Sequence, residues 1–249
     1  MPAPAPRSAA AALALATASL FAGGCDLIDA FTDPGETLVT VFANHHATPE
    51  NGAVPDRGGD GEVRVFDTDE GWTITLIEGV VTTRGVTLHG CNGSQTDIDM
   101  YAGAHAEDLC TADLDRRTVG GIEVNAGDIC GMTVHYGAFA AETDEAPAAM
   151  EPGRVDGATV FLAGFAEKNG EIVEFEVNTP ADIDVFEDFA SSPRGPLRIK
   201  GDEPFPVELT ITKTYDRFFD GVDFTALNTA DLARQSEAIL ELETRVQAS

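Results

Sequence analysis

Five side chains in two short stretches have types and spacings that could do chemistry together: His89, Cys91, Cys130, Met132 and His135. Read as strands, both stretches send successive side chains to opposite faces. His89 and Cys91 then share one face of their strand, and Cys130 and Met132 share one face of theirs. A Cys91–Cys130 disulfide would draw His89 and Met132 close, and an imidazole beside a thioether is a donor set suited to copper in an oxidising compartment. His135 falls on the face opposite Met132. The plainer reading is a structural disulfide flanked by a core methionine and a strand-end histidine. Cys110 leaves a second pairing open, Cys91–Cys110, since three cysteines allow three pairings and leave one thiol over.

The remaining candidates are more dispersed. His45 and His46 are adjacent and would face opposite ways on a strand, so they read as two exposed histidines. His105 reads as a loop residue beside Glu107, Asp108 and Cys110. Acid pairs recur at Asp67/Asp69, Asp97/Asp99, Asp113/Asp115, Asp182/Asp184 and Asp220/Asp223. Calcium needs several hard oxygens from one loop, and Asp67-Thr68-Asp69-Glu70-Gly71 lacks the later ligands of such a loop. Calcium is therefore expected at most as a structural or adventitious ion. The chain carries no phosphate-binding glycine loop, no Gly-Xaa-Ser-Xaa-Gly, no His-Glu-Xaa-Xaa-His and no dinucleotide fingerprint. A hydrolase using two carboxylates distant in sequence needs no motif and stays as a remote alternative.

The elements that must position these residues are mostly strands. Glu36–Ala43, Glu62–Phe66, Trp72–Ile77, Gly79–Leu88, Ile98–Tyr101, Val119–Val124, Ile129–Tyr136, Ala158–Phe165, Glu171–Val177, Ile183–Phe186, Leu197–Ile199 and Val207–Thr214 are short runs rich in β-branched and aromatic residues. Gly79 predicts a bulge. Asn125-Ala126-Gly127-Asp128 predicts a hairpin-like turn, and Asn169-Gly170 between two apolar runs predicts a tight hairpin. Residues 47–61 read as an exposed loop, and residues 141–157, with two prolines and several acids, as a long loop or a boundary. One helix is predicted near the C-terminus: Thr229 could cap it, and Leu232, Ile239, Leu240, Leu242 and Val246 recur at helical spacing. Tyr215–Phe224 reads as a strand running into one helical turn, with Phe218, Phe219 and Phe224 closing one end of the core. About ten short strands and one late helix predict a mainly β fold, an antiparallel β-sandwich with one C-terminal α-helix, over residues 36–249.

The N-terminus is a different material. Residues 1–24 hold no acid and one base, Arg7, and Ala9–Ala22 is nearly all alanine and leucine. A weakly positive start, a short apolar stretch and a zone of small residues form a secretory signal. The stretch falls short of the ~20 apolar residues a spanning helix needs. Leu20-Phe21-Ala22-Gly23-Gly24-Cys25 resembles the bacterial lipobox, with Ala22 where leucine is usual. That resemblance implies cleavage by signal peptidase II before Cys25, a diacylglycerol on its sulfur, and further acylation by palmitate-like chains. Residues 25–35 would then be the lipidated cysteine and a tether.

Composition narrows the partners. The chain has 43 acids against 15 Lys and Arg, a formal charge of −28. Such a surface is repelled by nucleic acid and anionic lipid, so no nucleic-acid partner is expected and the membrane is met through the lipid. Tyr215-Asp216-Arg217-Phe218-Phe219-Asp220-Gly221-Val222-Asp223-Phe224 resembles segments of uncharacterised exported lipoproteins and of MbnP-like periplasmic proteins associated with copper-chelator loci. The resemblance implies a β-rich exported binding protein and transfers no ligand residue. The expected function is non-enzymatic: a lipid-anchored protein of the bacterial cell envelope, facing the periplasm or exterior, that binds a small ligand, an ion or a protein partner. A periplasmic copper-binding protein using His89 and Met132 is the alternative.

Overall fold

The computed structural model describes residues 35–54, 63–148, 150–201 and 203–248. The expected signal, the lipidation site Cys25 and residues 26–34 of the expected tether lie outside that range, as do residues 55–61 of the loop expected over 47–61. Among the described residues no helix is long and apolar enough to cross a membrane.

In chain order the strands are β1 (Glu36–His46), β2 (Arg64–Asp67), β3 (Thr73–Gly90), β4 (Gln95–Asp97), β5 (Asp99–Met100), β6 (His105–Asp108), β7 (Arg117–Asn125) and β8 (Gly127–Tyr136). A short helix, α1 (Pro152–Val155), precedes β9 (Val160–Lys168), β10 (Glu171–Thr179), β11 (Ile183–Asp188), β12 (Leu197–Ile199) and β13 (Val207–Thr214). The long helix α2 (Thr229–Glu243) and strand β14 (Arg245–Ala248) end the described chain. The strands form two sheets. The smaller has the order β14-β13-β1-β7-β5; the larger runs β10-β9-β3-β8-β11, with β2, β4 and β6 also pairing with β3 and β12 pairing with β8. The fold is mainly β and sandwich-like, as expected. Its ladders are antiparallel except that β1 and β13 run parallel, Val39 opposite Val207 through His46 opposite Thr214.

Alternation builds the core. Val39, Val41 and Ala43 of β1 and Leu209 and Ile211 of β13 are fully buried, and they meet Ile74, Leu76, Leu88, Met132 and Val134 of the larger sheet in one cluster. An aromatic group closes one end: Phe219 lies 5.5 Å from Phe66 and 5.4 Å from Phe175, and Phe224 lies 5.4 Å from Trp72. The expected closure by Phe218, Phe219 and Phe224 is met, through 3-10 turns at Tyr215–Phe219 and Phe224–Ala226. Helix α2 covers the core with Leu232, Ser236 and Leu240.

Several expectations need correction. The two stretches expected around Gly79 are one strand, β3, and its irregularity falls at Leu76/Glu78. The turn at 125–128 makes no hairpin, because β7 belongs to the smaller sheet and β8 to the larger; the chain changes sheets there. The Asn169-Gly170 hairpin does form, with φ of +55° and +82° at the two turn residues, the conformation that Asn-Gly favours. Asn228, not Thr229, caps α2, its side-chain oxygen accepting from the Ala230 N–H. Val246 belongs to β14, which pairs with β13. Residues 141–157 fold back on the larger sheet: Met150 and Val155 join Val80, Phe139 and Phe161 in a second small core.

Candidate functional site

Two of the residues that organise the main site follow from strand alternation carried one step further. On β1 the inward series Val39, Val41, Ala43 continues to His45, which is 1% exposed. On β13 the inward series Leu209, Ile211 continues to Lys213, also 1% exposed. The two sit opposite each other in the parallel ladder. From the other sheet β6 contributes Glu107, 3% exposed. His45 Nδ1 lies 2.9 Å from Glu107 Oε1, and Lys213 Nζ lies 2.5 Å from Glu107 Oε2. His45 Nε2 meets the Thr111 carbonyl at 3.1 Å, an acceptor that requires a proton on that nitrogen. The Arg64 guanidinium, fully buried, also donates to the Thr111 carbonyl and reaches the Leu109 carbonyl at 3.3 Å. The rings of Tyr215 and Tyr136 enclose the group, 5.7 Å from the His45 ring centroid and 5.7 Å from Lys213 Nζ respectively.

The electrostatics follow from burial and pairing. Burial pushes the Glu107 carboxyl upward, but the Lys213 charge and the His45 hydrogen bond together hold it at about 2. Burial likewise lowers Lys213, and Glu107 more than offsets it, so the ammonium ends above its ordinary range. Two buried charges are tolerable in such a place only when paired.

His45, Glu107 and Thr111 of this group line a cleft of about 530 Å³. Its lining mixes small apolar residues, Ala102, Ala104, Ala146 and Pro147, with charged ones, Asp115, Arg117 and Glu145. Asp115 and Arg117 pair with each other at 2.6 Å. His105, on β6, lines the cleft, and its Nε2 is buried with no hydrogen-bond partner among the described residues. Burial, the largest effect, keeps His105 below its ordinary pKa despite nearby Glu107, so the ring is neutral at pH 7. A buried polar atom without a partner is uncommon in a folded protein and calls for an explanation.

The residues singled out from the sequence are placed differently. Cys91 and Cys130 form the expected disulfide, Cα atoms 4.9 Å apart, and Cys110 is a free, buried thiol. Burial pushes that thiol up to about 12. His89 and Met132 are not brought together. The β3–β8 register sets Leu88 opposite Met132 and His89 opposite Gly131, so Met132 joins the core while His89 faces outward. There His89 contacts Thr133 at 2.7 Å and the edge of Phe186. The Phe186 ring lies over Gly131, where a Cβ would meet it at 2.5 Å. The bulge at His89/Gly90 shifts the pairing beside the disulfide, which defeats the simple face argument. His135 lies on the same outer surface, between Thr87 at 2.9 Å and Asp184 at 2.7 Å. His45 is not exposed as expected, because β1 runs on to His46 and its end is covered by β6. His105 is on a strand rather than in a loop. Among the described residues no group of three or more His, Cys, Asp or Glu side chains is arranged to hold a metal ion.

No family model matches the chain, and no curated protein matches it. A solved structure, MbnP from Methylosinus trichosporium, is similar, with 11% identity over 86% of this chain and 99% of that chain, at a TM-score of 0.42. That likeness carries the same family name as the resemblance in the Tyr215–Phe224 string, and at this level it transfers no residue, ligand or role.

Proposed function

We propose that this chain is a non-enzymatic binding protein of the bacterial cell envelope, anchored through lipid on Cys25, whose cleft takes a small organic cation such as an amine. The observation that carries the ligand reading is the buried Nε2 of His105, without a hydrogen-bond partner among the described residues, at a cleft where Asp108, Asp115 and Glu145 outnumber the one cation, Arg117. A neutral imidazole with its proton on Nδ1 offers Nε2 as an acceptor, and an ammonium N–H supplies the missing donor. The surrounding carboxylates favour positive charge, and the alanines and Pro147 of the lining accommodate a short apolar chain. The overall charge of −28 adds long-range attraction for cations.

Isothermal titration with n-butylamine is the test, with choline, whose quaternary nitrogen has no N–H to donate, as the control. Saturable binding of n-butylamine, weakened at least tenfold by His105→Ala and tighter than that of choline, is expected; no heat above dilution with n-butylamine would remove the ligand reading. The anchor is tested separately. Labelled palmitate should enter the protein and be lost in Cys25→Ala, and absence of label would remove the lipid assignment.

A further inference from the structure

The contact between Lys213 and Glu107 has the makings of more than an ion pair. Nζ and Oε2 are 2.5 Å apart, and neither atom has another hydrogen-bond partner among the described residues. Both side chains are sealed from water, at 1% and 3% exposure. Each is carried by a strand rather than a loop, so the amine and carboxyl are held together by the sandwich itself. Fixed proximity of this kind makes a reaction that is bimolecular in solution effectively unimolecular, and a buried lysine amine is a capable nucleophile once neutral.

His45 supplies the proton arrangement that the reaction needs. Its Nε2 must carry a proton to satisfy the Thr111 carbonyl. Nδ1 faces Glu107 Oε1 at 2.9 Å. At rest the Lys213–Glu107 pair is ammonium and carboxylate, held so by their mutual charge. The reactive form is the minor one in which one proton passes from Lys213 to Oε1, with no change in the net charge of the group. The product of that transfer is a neutral amine beside a neutral carboxylic acid whose O–H donates to His45.

We propose that Lys213 and Glu107 condense to an intramolecular amide, a covalent bond between β13 of the smaller sheet and β6 of the larger. The Nζ lone pair attacks Cδ, the Nζ–Cδ bond forms and the Cδ–Oε1 bond breaks. Oε1 already carries one proton, and a second from the nitrogen completes the water that leaves. Nothing is oxidised or reduced and no co-reactant is required. The cleft, which both His45 and Glu107 line, is the exit for that water. His45 acts here as a positioning residue, holding the hydroxyl proton on the leaving oxygen. The Cys91–Cys130 disulfide joins β8 to the residue that follows β3 in the same sheet; the amide ties the two sheets to each other.

Mass spectrometry of the full chain, denatured after purification, tests this directly on the unmodified protein. The expected result is a mass lower than the disulfide-bonded sequence by one water. A tryptic digest should yield a branched peptide joining the Glu107 and Lys213 segments, with no cleavage after Lys213. Lys213→Met should restore the full mass. His45→Phe should lower the cross-linked fraction in chains whose circular dichroism shows an intact fold. A wild-type chain of full mass, cleaved after Lys213 and labelled there by an amine-reactive reagent in denaturant, would overturn the proposal whether or not the variants fold.

Discussion

Two regions of this molecule use the same side chains to opposite ends. On the outer surface of the larger sheet, His89 and His135 hydrogen-bond to Thr133 and Thr87, and His135 also pairs with Asp184, which is 72% exposed. Between the sheets, His45 sits with Glu107 and Lys213 away from water, and His105 is half-buried beside them at the cleft. Water screens the outer pairs and leaves them little energy. Inside, each charge depends on its partner, and a missing partner is costly. Residue type therefore does not identify a functional centre in this fold; the face of the sheet does.

Breaking the interior group should have the largest effect. Glu107→Ala leaves Lys213 buried without a counter-charge and should cost about 3–5 kcal/mol, read as a shift in the urea midpoint at unchanged slope. Replacing Cys91 and Cys130 by serine removes a cross-link spanning 39 residues and should cost about 2–4 kcal/mol, measured the same way without reductant. In chains whose Lys213–Glu107 pair has not condensed, acid should act through Glu107. Its carboxyl lies at about 2 in the fold against an ordinary 4.5, so the folded state binds its proton less readily than the unfolded chain. The stability it contributes is complete above pH 4.5 and is lost as pH falls from there toward 2. Unfolding midpoints across that window should show the loss, and Glu107→Gln should flatten it. The outer surface should barely respond: His135→Ala is expected to change stability by less than about 1 kcal/mol. A larger loss at His135 than at Glu107 would invert the comparison.

The sheet framework was legible in the sequence because alternation and turn chemistry are local. Val207–Thr214 reads as a strand from its own pattern, and Asn169-Gly170 specifies its hairpin. Alternation also pointed to Lys213, the next inward position after Leu209 and Ile211, but a lysine at the end of an apolar series reads locally as a solvated strand end. His45 is hidden for a related reason: the local pattern marks a strand only as far as Ala43, and pairing with β13 extends it to His46. Glu107 gave no signal, since β6 is four residues long and acquires its buried position only by docking on β3. The disulfide was readable from two strand ends, whereas the separation of His89 from Met132 depended on a bulge that composition does not mark. Long-range packing decides each of these cases, and a single sequence carries little of it.

The account rests on the cleft beside the interior group being a binding site anchored by His105. The most direct measurement is the 15N chemical shift of the His105 imidazole during titration with n-butylamine at pH 7. Binding should move Nε2 saturably as it gains a hydrogen bond, leaving the His89 and His135 rings unmoved, and the response should fade at lower pH as His105 itself becomes charged. A His105 signal that stays fixed while amine is added, or that moves no more than those of the outer histidines, would contradict it.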